Sequence, residues 1–152
     1  MPSTPYLPHI DLLLQSLRIA RDRLDSRSKI AVDPRLLVHV IKQIVAALPF
    51  DAAFYLTTYD DVAQAHANGG IGDLHAHFIE AGFFEGRLGA DPEVDAGYYL
   101  ATYPDVGRAI AEGQIGAAGD HYVQRGSAEG RAPNPELAPA VERWMTVLRP
   151  EG

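Results

Sequence analysis

The chain has 152 residues, enough for one compact domain or for a repeat pair with an appended segment. Cysteine is absent, which excludes disulfide staples, thiolate catalysis and Cys-ligated zinc. A net charge of −7 argues against general nucleic-acid binding, because neutralising phosphates needs concentrated Lys and Arg, and 47% hydrophobic residues supply an ordinary globular core.

Residues 1–48 read as a helical hairpin suited to oligomerisation or docking. Ile10, Leu13, Leu14, Leu17, Ala20 and Leu24 recur at spacings of three and four, which predicts a helix running to the polar break at residues 25–29. Asp33 followed by Pro34 is a helix start: a capping carboxylate, then a residue whose missing N–H has no helical partner to lose. Leu36, Leu37, Val40, Ile41, Ile44, Val45 and Leu48 follow, and Pro49 stops the run. This apolar face is wide for its length, so it packs either within the chain, the reading preferred here, or into a partner subunit. The N-terminus lacks the basic start and small-residue cleavage site of a secretory signal, and no apolar run approaches the roughly 18 residues of a membrane span. The expectation is no membrane span, with residence in the cytoplasm or inside an assembled particle. Residues 1–50 carry seven Lys or Arg against four Asp or Glu, a balance of +3; residues 51–152 carry six against sixteen, a balance of −10. Either the two surfaces simply differ, or the lead segment meets a different partner from the acidic body.

The body says one thing twice. The segment from Asp51 to Arg87 recurs from Asp95 to Arg131 at a constant offset of 44 residues, without gaps and with 18 identities over 37 positions. A fixed period of this size points to modular architecture, used for binding or assembly more than for chemistry. Each copy reads as three short helices. Asp51 or Asp95 caps the first. The second begins around Tyr59–Val62 or Tyr103–Val106, with Pro104 at a position that needs no amide donor. A glycine-bearing loop, residues 69–72 or 113–116, precedes the third, which carries His77-Phe78 or His121-Tyr122 and runs to Gly82 or Gly126, predicted to be left-handed there. Alternation never persists, so a β reading is rejected. Asn134-Pro135 starts a last helix, whose stripe of Leu137, Val141, Trp144 and Leu148, with Met145 beside it, is expected to cover the open end of the second copy. The predicted fold is therefore all-α: hairpin 1–48, repeats 49–93 and 94–133, and a C-terminal capping helix within 134–152.

The repeated residues resemble a bacterial tandem repeat of the pattern F-D-x-x-Y-L-x-x-x-P-D-V, a short loop, then H-Y-x-x-x-G-x-x-E-G-R. The second copy matches through Asp95, Tyr99, Leu100, Pro104, Asp105, Val106, His121, Tyr122, Gly126, Glu129, Gly130 and Arg131. The first matches through Phe50, Asp51, Tyr55, Leu56, Asp61, Val62, His77, Gly82, Glu85, Gly86 and Arg87, and departs at Asp60 and Phe78. The resemblance covers about residues 50–135. Such repeats resemble accessory modules of glycosyltransferases and of surface or secreted proteins, which implies work around polysaccharides without catalysis.

The candidate ligand-binding residues are Tyr55, Tyr59, His77, Arg87, Tyr99, Tyr103, His121 and Arg131. For each a structural role competes. One His per copy cannot make a zinc site, and His75 has Gly119 as its counterpart, so hydrogen bonding is preferred over ligand contact and both over metal. The Arg forks suit glycan acids, yet the repeated Asp and Glu residues are natural internal partners. Aromatic faces hold sugars, but core filling by Tyr55 and Tyr99 is the simpler reading. Tyr55 and Tyr59, like Tyr99 and Tyr103, are four apart and would face one way on a continuous helix. Phe83-Phe84 is either a local core or an exposed patch.

No nucleophile elbow, phosphate loop, dinucleotide fingerprint or HExxH helix occurs, so neither catalytic residue, metal nor cofactor is expected. The leading expectation is a non-catalytic module binding glycan or cell-surface polysaccharide. The alternatives are a structural adaptor, such as a spike or fibre-base protein of a phage-like particle that homo-oligomerises through its N-terminal helices, and a regulatory protein partner of a glycosyltransferase.

Overall fold

The structure, a computed structural model, describes residues 6–149. Among these residues every regular element is helical and no strand occurs. The chain divides into two compact units, one up to Ala46 and one from Ala47. No single helix among the described residues is long and apolar enough to cross a membrane.

The first unit holds α1 (Ile10–Leu17) and most of α2 (Pro34–Ala47). The helix expected to reach Leu24 ends at Leu17 instead. Arg18 turns left-handed (φ 54°), and the N–H groups of Arg18 and Ile19 close onto the carbonyls of Gln15 and Leu14. The Arg21 guanidinium then folds back onto Asp11 in the first turn. Ten residues of continuous helix would put about 15 Å of rise between them. A single 3₁₀ turn, Arg21–Arg23, follows. The start of α2 is as predicted: Asp33 accepts the Arg35 N–H at 2.8 Å, and Pro34 is the first helical residue. Leu14 and Val45 are buried, whereas Leu37 and Ile44 leave about half of their surface exposed.

The second unit holds α3 (Ala52–Thr58), α4 (Asp60–Ala67) and α5 (Leu74–His77), then α6 (Ala96–Thr102), α7 (Pro104–Ala111), α8 (Ala118–His121) and α9 (Ala138–Leu148). Helix α3 packs on α4 and α5; α6 packs on α7 and α8. Asp51 and Asp95 cap as expected, accepting the N–H groups of Phe54 and Tyr98 at 3.1 and 2.9 Å. Each capping residue also closes its own copy into a loop. The Asp51 N–H donates to the Gly89 carbonyl at 2.8 Å, and the Asp95 N–H to that of Pro133 at 3.0 Å.

Helices α5 and α8 widen into π-helical turns, Phe78–Gly82 and Tyr122–Gly126. Gly82 and Gly126 are not left-handed, contrary to expectation. The left-handed residues come four positions later, at Gly86 (φ 85°) and Gly130 (φ 71°). There the N–H groups of Arg87 and Arg131 reach back to the Gly82 and Gly126 carbonyls, both at 3.0 Å, in a glycine-terminated helix end. Gly82 and Gly126 are small for another reason: a Cβ on either would run into the hydroxyl of Tyr55 or Tyr99.

The tail also differs in detail. Asn134 caps a turn by accepting the Leu137 N–H at 2.9 Å, but α9 begins only at Ala138, with Pro139 in its first turn. The expected covering stripe is rotated outward. Leu137, Trp144 and Leu148 are exposed, while Val141 and Met145 are half-buried and Met145 lies against Gly130. A narrow inward face suffices because Gly130 has no side chain to hold the helix away.

Candidate functional site

The structure gathers the eight candidate residues into two clusters, four to each copy. Helix α3 delivers Tyr55 to the core, where it is fully buried, and its hydroxyl lies 3.0 Å from His77 Nδ1. Tyr99 and His121 repeat this at 2.9 Å, with Tyr99 fully buried and His121 buried as well. Tyr59 ends α3 and Tyr103 ends α6, so neither shares a continuous helix with its earlier tyrosine. Their rings meet Tyr55 and Tyr99 edge-on, at 5.3 and 4.9 Å. The Tyr59 hydroxyl accepts the Leu88 N–H at 2.7 Å, and the Tyr103 hydroxyl accepts that of Ala132 at 2.8 Å.

Arg87 and Arg131 close each cluster. Arg87 forks onto Asp61 at 2.9 and 2.6 Å, bonds Glu85 at 2.9 Å and lies 5.0 Å from the centre of the Tyr59 ring. Arg131 forks onto Asp105 at 2.9 and 2.8 Å, bonds Glu129 at 2.6 Å and lies 4.8 Å from the Tyr103 ring centre. Hydrogen bonds from the guanidinium groups hold Asp61 and Asp105 below the ordinary carboxylate range, and the same bonds push both Arg residues up. Burial pushes the Tyr99 hydroxyl up to about 12 and Tyr55 in the same direction. The polar atoms of these clusters thus face one another. A hollow of about 250 Å³ borders His121, Arg125 and Arg131 in the second copy.

The larger concavity lies elsewhere. A cleft of about 650 Å³ opens between the copies. Phe54, Thr57, Thr58 and Tyr59, from the last turns of α3 and its cap, form one wall. Asp91, Pro92 and Val94 of the connecting segment form the floor. Gly119, Asp120, Val123 and Gln124, from α8 and its π-helical extension, form the other wall. Of these lining residues only Tyr59 belongs to the eight candidates. For Gly119 and Asp120 the signal is divergence between the copies: their counterparts are His75 and Ala76. The connecting segment is held by Asp91, which accepts the Glu93 N–H at 2.8 Å, while Asn134 donates to the Glu93 carbonyl at 3.1 Å across a left-handed Glu93 (φ 51°).

Two further apolar features are exposed. Phe83 and Phe84 leave about 40% of their surface open, although Phe83 also meets Phe78 edge-on at 6.2 Å. Along α9 a shallow groove of about 350 Å³ is lined by Ala140, Arg143, Trp144 and Val147. Among the described residues no group of three or more His, Asp or Glu is placed to hold a metal ion. No protein-family model matches the chain, and neither a curated protein nor a solved structure matches it.

Proposed function

We propose that the chain is a non-catalytic module that binds glycan, of the kind found on cell surfaces, and that it is built as two tandem three-helix repeats capped by α9. The observation that carries this reading is the cleft between the copies. It brings Phe54 and Tyr59 together on one wall with Thr57 and Thr58, and sets Asp91, Asp120 and Gln124 around them. An apolar ring face with several fixed donors and acceptors is the combination that a sugar, apolar on its C–H face and polar at its rim, requires. The absence of a catalytic role is supported by the pairing within the two clusters, where each Arg is engaged by two carboxylates. Titration calorimetry against capsule and O-antigen preparations tests the reading: saturable heat supports it, and flat traces at millimolar sugar discard it.

A second reading is favoured by α2. Leu37, Ile41, Ile44 and Leu48 follow a four-three-four spacing, the seam of a coiled coil, and Leu37, Ile44 and Leu48 are about half exposed. On this reading the lead helices pair with other copies, and the chain acts as an adaptor, such as the base of a phage-like fibre, with its acidic repeats displayed. Light scattering decides between them. A monomer unaffected by Leu37→Asp and Ile44→Asp ends the adaptor reading. A regulatory partner of a glycosyltransferase would be recognised by co-purification with that enzyme.

A further inference from the structure

We infer that the cleft between the copies selects amine-bearing sugars, such as runs of 2-amino-2-deoxyhexose, over uronic or other acidic sugars. This rests on the glycan-binding reading above. The cleft exists because the second copy lacks a pair of rings that the first one has. In the first copy Phe50 and His75 stack at 4.8 Å with planes 18° apart. The residues 44 positions later are Val94 and Gly119, and both line the cleft. A Cβ added at Gly119 would meet nothing within 4 Å, so this wall is open space beside helical backbone, and no left-handed conformation requires the glycine. Replacing Phe and His by Val and Gly has removed two rings and left a hollow.

The charge of that hollow is one-sided. Its only ionisable side chains besides the Tyr59 phenol are Asp91 and Asp120; Lys, Arg and His are absent from the lining. Asp120, which stands where the first copy has Ala76, is one of the lining residues, with its Oδ2 lying beside the Gly116 backbone. The two Arg residues of the repeat clusters are engaged with Asp61, Glu85, Asp105 and Glu129. An acidic sugar entering here would put its carboxylate against two others with no cation in the lining. A protonated amine gains charge-assisted hydrogen bonds instead. The Phe54 ring takes the apolar sugar face, Thr58 and Gln124 remain for hydroxyls, and the Thr57 hydroxyl, which donates to the Ala53 carbonyl at 2.9 Å, remains as an acceptor.

The test titrates the full chain with three oligosaccharide sets of equal length: deacetylated glucosamine, its fully N-acetylated form and a polyuronate. The expected order is glucosamine, then the N-acetylated form, then polyuronate. Asp120→Asn should weaken glucosamine binding about tenfold, the scale of losing a charged hydrogen bond, and leave the N-acetylated form unchanged. The double variant Val94→Phe, Gly119→His restores the first copy's ring pair and should abolish binding while keeping the net charge at neutral pH and the melting temperature. Retained glucosamine binding in this variant overturns the inference, because the amine is then read by the acidic surface at large. Equal or tighter binding of polyuronate overturns it but leaves the glycan-binding reading standing. No heat with any of the three sets overturns both.

Discussion

The first copy surrounds its buried tyrosine with four further rings, and the second keeps the same frame with only one of them, Tyr122, retained as a ring. Phe50, His75, Phe78 and Phe83 form a run of contacts between 4.8 and 6.2 Å; their counterparts are Val94, Gly119, Tyr122 and Ser127. The Tyr–His bond, the Arg–Asp fork and the Arg–Glu bond nevertheless recur in both copies. The frame is therefore independent of the Phe50, His75 and Phe83 rings, and the positions around it are free to diverge. What repeats holds the fold, and the cleft's second wall, Gly119, Asp120, Val123 and Gln124, is made of residues that do not repeat.

The largest break in this equivalence comes from removing the buried tyrosines. Tyr55→Ala and Tyr99→Ala should each cost about 4 kcal/mol in denaturant unfolding, the scale for truncating a fully buried aromatic ring. Amide exchange should show the loss concentrated in the copy that carries the change, since each copy closes on itself. Equal exchange through both copies would mean that they unfold as one.

Removing only the hydroxyl should separate the copies. Tyr99→Phe leaves His121 Nδ1 without its partner in a buried setting and should cost about 2 kcal/mol, as an unsatisfied buried polar group does. Tyr55→Phe should cost less, about 1 kcal/mol, because His77 is only partly buried and water can replace the bond. Equal costs would refute this difference in access. In either background the adjoining Gly82→Ala or Gly126→Ala should be better tolerated than in the parent, because the hydroxyl it strikes is gone.

Acid should weaken both copies. Asp61 and Asp105 have carboxyl groups held down by Arg hydrogen bonds, so the unfolded chain binds their protons first. Their contribution is present above roughly pH 4, the ordinary carboxylate value, and is lost as pH falls through the depressed folded value. Melting temperatures followed from pH 6 to pH 2 should fall more steeply for the parent than for Asp61→Asn or Asp105→Asn; matching slopes would rule out these two groups. The smallest effect is expected at Gly119, where alanine should stabilise α8 by about 0.5 kcal/mol.

The helical character, the caps at Asp33, Asp51 and Asp95 and the membership of each cluster were legible because they depend on residue types at short or repeated spacings. The ends of helices were less so. Arg18 stops α1 although the apolar spacing continues to Leu24, because the pairing of Arg21 with Asp11 is tertiary. Gly82 and Gly126 carry a glycine signal with two possible causes, a left-handed turn or a close approach, and only the Tyr hydroxyls beside them distinguish these. The cleft was the least legible feature. Its walls come from different copies and, apart from Thr58 and Tyr59, from residues that the repeat pattern does not mark, so searching the identities pointed to the frame.

Each copy begins and ends at nearly one point, since the amide of Asp51 meets the Gly89 carbonyl and that of Asp95 meets Pro133. Such a module can be strung like a bead, because adding or deleting 44 residues at the junction disturbs no pairing inside its neighbours. Hollows belong to neighbouring pairs, so a string of n beads offers n − 1 of them. On the glycan-binding reading proposed above, a chain lengthened by one bead whose facing residues match Val94, Gly119 and Asp120 would double its valency, and grip on a polymer of repeating sugars would rise faster than the number of beads.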